Sequence, residues 1–232
     1  MSPRRFGGSA QPAIHSGPMS SASPLIQLSG VAARAGAATI LRDVDLVVEA
    51  GEAVALYGAN GAGKTTVLRI LATLLPPSAG TVEVLGANLG SLERFEVRRR
   101  IGLIGHTPAL YPELSIRANL QYVASVGGFD DETVESVLAT VGLAGAASRP
   151  VEAASHGMQR RCEIARELMR LPEVLLLDEP HSALDESAVE LVAHLVALVT
   201  ERGGCAVVAS HDRHQVDKLT DRHVQLTGGS LS

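Results

Sequence analysis

The sequence has few residues of several types, and each shortage excludes a class of protein. Only two of its 232 residues are cysteines, Cys162 and Cys205, which cannot form a disulfide framework and fit a reduced cytosol. No apolar run, such as the one at 174–177, approaches the roughly 18 residues of a membrane-spanning helix. Basic residues are outnumbered 25 to 20 by acidic ones, and the net charge of −5 argues against a nucleic-acid-binding protein.

The remaining composition, 46% hydrophobic and 19% charged, is typical of a globular protein. Residues 1–24 are rich in Ser, Pro, Gly and Ala without hydrophobic periodicity, which predicts a disordered extension. Beyond it, apolar β-branched segments predict strands at 25–31, 44–48 and 53–57, and further strands fit 81–85, 101–105, 174–178, 205–210 and 222–227. Helical patterns cover 64–75, 115–126, 131–141, 157–170, 185–202 and 212–219. The order predicts an α/β framework with a helical block, about 107–170, inserted in its middle.

Residues 58–66 read Gly-Ala-Asn-Gly-Ala-Gly-Lys-Thr-Thr, which matches the phosphate-loop pattern G-x-x-x-x-G-K-[ST] between a predicted strand and a predicted helix. Such a loop points its backbone amides, together with the positive end of the helix dipole, at phosphate oxygens. Lysine is otherwise scarce, since 18 of the 20 basic residues are Arg, so Lys64 indicates a need for a compact charge at the β- and γ-phosphates. The loop predicts binding of a nucleoside triphosphate, with Mg²⁺ on the Thr65 hydroxyl. Its candidate binding residues are Gly58, Asn60, Gly61, Gly63, Lys64, Thr65 and Thr66.

A second motif is the apolar strand at 174–178, which ends in the acidic pair Asp178-Glu179. Charges at the end of a buried strand are costly unless they serve a ligand or a reaction. Asp178 is therefore a candidate Mg²⁺ ligand, and Glu179 a candidate base that orients or deprotonates an attacking water. A strand that simply ends in a polar turn would more often carry one acid than two.

Three further segments follow in a fixed order. Residues 154–161 read Ala-Ser-His-Gly-Met-Gln-Arg-Arg, residues 182–185 read Ser-Ala-Leu-Asp, and His211 lies in Ala-Ser-His-Asp at 209–212. With the phosphate loop and the acidic pair, this order resembles the ATP-binding subunits of ABC transporters over residues 25–230. The first segment departs from that family's usual Leu-Ser-Gly-Gly-Gln signature. The resemblance implies a P-loop ABC-ATPase core, with a RecA-like mixed sheet, an antiparallel β subdomain and the inserted helical subdomain.

The resemblance also implies roles for individual residues. Ser155 and Gly157 would contact the γ-phosphate of ATP bound to a second copy, so that a homodimer encloses two nucleotides; Ser155 would serve equally as a helix N-cap. His211 would contact the γ-phosphate in its own chain, and Asp185 would couple the two sites. A separate integral membrane permease would hold the chain at the cytoplasmic face of the membrane, with Tyr111, Leu114 and Ile116 at the docking surface.

Two positions depart from the family pattern. His106 replaces the glutamine that normally links the Mg²⁺ site to the membrane partner, and its charge depends on pH. The aromatic residue that stacks on adenine is absent, because the matching position is near Ala35; Arg34 is a candidate replacement.

The alternatives differ in what the ATPase drives. Only 114 residues separate Lys64 from Asp178, too few for the long coiled coil of DNA-repair or chromosome-structure ATPases. A non-transport assembly ATPase stays open. The segments at 105–108 and 155–158 are similar to the haem-exporter ATP-binding subunits of cytochrome c maturation, which implies haem export. A drug- or antibiotic-exporting cassette is the alternative.

Overall fold

A computed structural model describes residues 23–181 and 186–231, apart from the side chains of Glu186 and Gln215. The predicted extension at 1–24 therefore lies almost wholly outside the described residues, and Asp185 lies outside them too. Ten strands are described: β1 Ile26–Ala35, β2 Ala38–Val48, β3 Ala53–Tyr57, β4 Ala79–Val84, β5 Ala87–Asn88, β6 Ile101–Ile104, β7 Val174–Asp178, β8 Cys205–Ser210, β9 Arg222–Thr227 and β10 Ser230–Leu231. Seven α-helices are described: α1 Lys64–Leu71, α2 Arg94–Val97, α3 Ile116–Gly127, α4 Asp131–Thr140, α5 His156–Arg170, α6 Glu186–Glu201 and α7 Arg213–Val216.

The strands form two sheets. A six-stranded sheet has the order β10-β9-β3-β8-β7-β6, and it is parallel except for the antiparallel β10–β9 pair. Its central strands β7 and β8 are buried along their whole length, which explains their continuous apolar sequences. Because β3, β7 and β8 run in parallel, the segments after all three reach the same edge of the sheet. The phosphate loop, the acidic pair and His211 all follow these strands.

The second sheet is antiparallel, with the order β2-β1-β4-β5. The sequence predicts only short strands at 25–31 and 44–48, but the structure extends both into a long hairpin that turns at Gly36-Ala37. The alanine-rich stretch between them has little intrinsic strand preference. Pairing of β1 with β2 on one side and β4 on the other supplies the missing stabilisation.

Helix α1 is shorter than the sequence predicts. The sequence predicts a helix to residue 75, but α1 ends at Leu71 and Thr73 adopts a left-handed φ of 62°. Arg98 holds this turn by donating to the Thr73 hydroxyl at 2.7 Å and to its carbonyl at 3.1 Å. The helix predicted at 212–219 is likewise shorter, a single turn in α7.

The helical block contains α3, α4 and α5, which begin at the N-caps Ser115, Asp130 and Ser155. Its interior is continuous with one face of the parallel sheet and α6, whereas α1 and the antiparallel sheet cover the other face. Ile116 is fully buried in this interior, so its predicted place on a docking surface is wrong. Tyr111 and Leu114 are 50% and 39% exposed. Within the described ranges, no helix is both long and apolar enough to span a membrane.

Candidate nucleotide-binding site

The phosphate loop connects β3 directly to α1 and requires glycine at defined points. Gly61 and Gly63 have backbone φ values of 80° and 110°, which residues other than glycine rarely adopt. A Cβ added at Gly63 would lie 2.6 Å from Cδ2 of Leu41, in the core beneath the loop. The hairpin of β1 and β2 therefore packs against the loop, and α1 begins at Lys64 without a side-chain cap. The first amides of the helix thus remain available to an anion.

Lys64 carries its charge in the interior of this loop. Its side chain is 6% exposed, and Nζ donates to the carbonyls of Gly58 at 2.7 Å and Ala59 at 3.3 Å. The same atom lies 3.6 Å from Oε1 of Glu179. The loop carbonyls and one carboxylate thus hold a cation where the phosphates of a nucleotide would arrive.

Asp178, at the end of β7, faces the loop. Its side chain is buried, and its Oδ2 accepts a 2.8 Å hydrogen bond from the Thr65 hydroxyl. A hydroxyl and a carboxylate that meet across two elements are the oxygen ligands that Mg²⁺ prefers. In the described residues no group of three or more His, Cys, Asp and Glu side chains is placed to hold a metal. The pair therefore fits Mg²⁺ bound together with nucleotide phosphates and water, rather than a cage of protein ligands.

Glu179 has a strained backbone and several polar neighbours. Its φ is 49°, and its amide donates to the Ala209 carbonyl at 2.9 Å. Oε2 lies 2.9 Å from Nδ1 of His211, and the Ser210 hydroxyl donates to it at 3.4 Å. Because a non-glycine residue keeps such a conformation only when its surroundings enforce it, the carboxylate is held at a defined place.

Most of the predicted site residues share one cleft of about 570 Å³. His106, which is exposed after β6, lines it with residues 60–66 of the phosphate loop, Asp178, Glu179 and His211; the predicted Gly58 does not line it. Ile40 and Ala62 also line the cleft, and the sequence interpretation missed both. Nothing in the local pattern marks Ile40, because only the unpredicted hairpin brings it to the loop.

Other predicted residues lie elsewhere. Ser155 is exposed at the start of α5, where its hydroxyl accepts a 3.3 Å hydrogen bond from the Met158 amide, so its N-cap role is confirmed. Gly157 follows on the same turn, and a Cβ there would meet no atom within 4 Å. Neither residue lines the cleft of its own chain. Arg34 is exposed, with Nη2 3.5 Å from the Ala37 carbonyl.

A phosphate loop opposite a strand that ends in Asp-Glu, within a largely parallel sheet, defines a P-loop nucleotide-binding ATPase. The family described as ABC transporter matches residues 41–182. The chain belongs to this family, as an ATP-binding subunit that hydrolyses ATP.

Relatives and a solved structure agree with this membership. The chain is 35% identical to the phosphate import ATP-binding protein PstB 2 of Natronomonas pharaonis, covering 89% of this chain and 78% of the relative. It is 38% identical to the aliphatic sulfonates import ATP-binding protein SsuB 2 of Burkholderia cenocepacia, with 88% and 74% covered. The bacitracin transport ATP-binding protein BcrA of Bacillus licheniformis is 33% identical, with 86% and 65% covered. A dimeric ATP-binding cassette in a post-hydrolysis state with ADP and Pi superposes with a TM-score of 0.80 at 28% identity, covering 89% and 96%.

Proposed function

We propose that the cleft residues divide the hydrolysis of ATP among them. Lys64 and the amides of the loop bind the phosphates, and Glu179 accepts the proton of the attacking water. His211 contacts the γ-phosphate and, at 2.9 Å from Oε2, keeps the Glu179 carboxylate turned toward it. Mg²⁺, held by Thr65 and Asp178, would neutralise phosphate charge. The observation that carries this proposal is the meeting of Lys64, Asp178, Glu179 and His211 in one cleft.

The signature-like segment acts in a second copy of the chain. Ser155 is exposed and Gly157 partly exposed at the N-terminus of α5, and neither lines its own cleft, so nucleotide contact requires another protomer. The dimeric form of the structural relative supports this arrangement. The start of α5 adds free amides and a positive dipole end for a γ-phosphate. Asp185 would couple the two sites across this dimer.

The hydrolysing dimer drives a separate membrane permease at the cytoplasmic face of the membrane. The helical block, about 107–170, supplies the docking surface, and Tyr111 and Leu114 are exposed there. Tyr111 packs edge-on against Tyr122 at 5.2 Å between ring centroids, and Tyr122 is half exposed as well. Exposed aromatic rings of this kind are enriched at protein interfaces.

The substrate we propose is haem, or a related component of c-type cytochrome biogenesis. Support comes from the resemblance at 105–108, where His106 stands in place of the usual glutamine and lines the nucleotide cleft, and from the His-Gly-Met form of the signature at 156–158. A bacterial antibiotic exporter is the second candidate, favoured by the similarity to the bacitracin transport protein.

Gene deletion separates these candidates. Loss of the protein is expected to abolish covalent haem staining of c-type cytochromes while b-type haem proteins persist. The parental gene supplied on a plasmid is expected to restore haem staining, whereas a gene that carries Lys64→Ala is expected not to. If haem staining persists and antibiotic sensitivity rises, the second candidate replaces the first. If growth fails only on low phosphate or on sulfonates, the import roles named for the relatives replace both.

A further inference from the structure

One face of α5 carries charged side chains that are buried against the sheet edge. Arg160, Glu163 and Glu167 are at most 7% exposed, and their three- and four-residue spacing places them on the same side of the helix. Burying charges is costly unless each is paired and hydrogen-bonded. The partners that satisfy these charges therefore indicate what the helix holds in place.

Arg160 connects α5 with the carboxyl ends of β6 and β7, beside the nucleotide cleft. Its Nη1 donates to the Gly105 carbonyl at 2.7 Å and to Oε2 of Glu163 at 3.1 Å. Its Nη2 makes longer hydrogen bonds to the carbonyls of Asp178 and Glu179, at 3.4 and 3.5 Å. One guanidinium thus bridges the end of β6, the end of β7 and the helix.

Glu163 completes the connection. Its Oε1 accepts a 3.0 Å hydrogen bond from the Ala109 amide, so the Arg160–Glu163 pair holds both ends of the segment 105–109, in which His106 lies. Burial raises the pKa of the Glu163 carboxyl, while the Ala109 amide and the charges of Arg160 and Arg166 oppose this rise.

We propose that Arg160 is a positioning residue for hydrolysis, which keeps the Glu179 carboxylate and His106 in reacting geometry by fixing the backbone at 105 and at 178–179 to α5. The proposal rests on the role assigned above to Glu179. The left-handed φ of Glu179 needs enforcement from its surroundings, and Arg160 supplies one such contact at the Glu179 carbonyl.

The position of Arg160 also links the signature-like segment to Glu179. It belongs to the signature-like segment 154–161 and lies little more than one turn after Ser155, on the same helix. A displacement of that segment by the partner's nucleotide would move Arg160 and, through it, the carbonyls that Arg160 holds. The same protomer's Glu179 would then respond to occupancy of the other site.

Arg170 provides a matched control on the same helix. It pairs with a buried glutamate three residues earlier, Glu167 at 3.0 Å, and donates to two backbone carbonyls, those of Arg99 and Ile101. Of the two carbonyls, that of Arg99 precedes β6 and that of Ile101 belongs to its first residue. Arg170 therefore holds neither the segment 105–109 nor the segment 178–179. A purely structural role would give the two arginines similar effects.

The experiment compares Arg160→Met and Arg160→Lys with Arg170→Met and Arg170→Lys in the full chain. We measure kcat and KM for ATP, binding of a fluorescent ATP analogue, and thermal unfolding. The Arg160 variants are expected to lower kcat about 10- to 100-fold, as for a displaced catalytic group, with ATP affinity within about threefold of the parent. The Arg170 variants are expected to lower the unfolding temperature while kcat stays within about twofold of the parent.

The lysine variants keep the test decisive where a methionine variant fails to fold, because they keep a positive charge beside the buried glutamate. One ammonium cannot reach all the oxygens that the guanidinium holds, so Arg160→Lys is still expected to lose kcat. The proposal is overturned if a folded Arg160 variant keeps the parental kcat, if ATP affinity falls as much as kcat, or if the Arg170 variants lose as much kcat. The proposed role of Glu179 fails separately, if Glu179→Gln hydrolyses ATP at the parental rate.

Discussion

At the scale of single residues, Lys64 has structural contacts within the loop beside the phosphate-binding role proposed for it. Its ammonium is hydrogen-bonded to two loop carbonyls and lies near Glu179, so the charge is satisfied and held in position. Phosphate oxygens are stronger partners for an ammonium than neutral carbonyls. Phosphate oxygens of ATP would therefore compete with these carbonyls for Nζ.

Lys64→Ala is expected to weaken ATP binding about 10- to 100-fold, because one or two charge-assisted hydrogen bonds are lost. Equilibrium titration with a fluorescent ATP analogue measures this. The exposed Lys218, the only other lysine, gives the control: Lys218→Ala removes the same charge and is expected to leave affinity unchanged. Equal affinity of the parent and Lys64→Ala would contradict the phosphate-loop assignment.

The two cysteines illustrate what burial does to a reactive group. Cys162 and Cys205 are both fully buried, and burial raises the pKa of each thiol to about 12. The thiolate, which is the reactive form, is therefore scarce at neutral pH. Both cysteines pack in the core.

At the scale of elements, the start of α1 depends on the hairpin beneath it. Gly63 must adopt φ 110° and leave room for Leu41, so the loop and β2 constrain each other. Neither element shows this requirement in its own sequence pattern. The last glycine of the G-x-x-x-x-G-K motif therefore serves the packing of the loop on β2 as well as the proposed phosphate binding.

Gly63→Ala is expected to destabilise the fold by about 2–4 kcal/mol, from left-handed strain and from overpacking against Leu41. Gly128→Ala is the matched control, since Gly128 has φ 76° at the end of α3 but no atom within 4 Å of an added Cβ. Gly128→Ala should lower the free energy of unfolding only by the cost of left-handed strain, about 1 kcal/mol. Urea unfolding measures both, and a Gly63→Ala loss no larger than the control's would refute the packing argument.

At the scale of the whole molecule, the phosphate loop and the signature-like segment lie apart within one protomer. The phosphate loop lines the cleft, while Ser155 and Gly157 lie outside it at the start of α5. A nucleotide that contacts both segments would therefore need two copies of the chain, as proposed above. Each copy would then supply half of each site.

Glu179→Gln is expected to bind ATP with parental affinity but to lose most hydrolysis, because an amide cannot accept the proton of water. Uncleaved ATP should then hold two protomers together. Light scattering with Mg-ATP is expected to report a dimer for this variant and a monomer without nucleotide. A monomer at high protein concentration with saturating ATP would count against the shared site.

The sequence by itself determined those features that depend on neighbouring residues. The strands at 53–57, 174–178, 205–210 and 222–227 match β3, β7, β8 and β9 in both bounds. The first three are short, largely apolar runs, whereas 222–227 alternates polar residues with Val224 and Leu226. The phosphate loop and the acidic pair were equally readable, since their chemistry requires particular residues at fixed spacing.

Only the tertiary structure decided what depends on residues far apart in the chain. It placed Ile40 in the cleft through the extended hairpin, bound the turn after α1 to Arg98, and buried Ile116 inside the helical block. It also brought the guanidinium of Arg160 to the carbonyls of residues 105, 178 and 179. Local patterns report which face of an element is apolar, but the partner that covers that face, and the contacts that result, follow from packing of the whole chain.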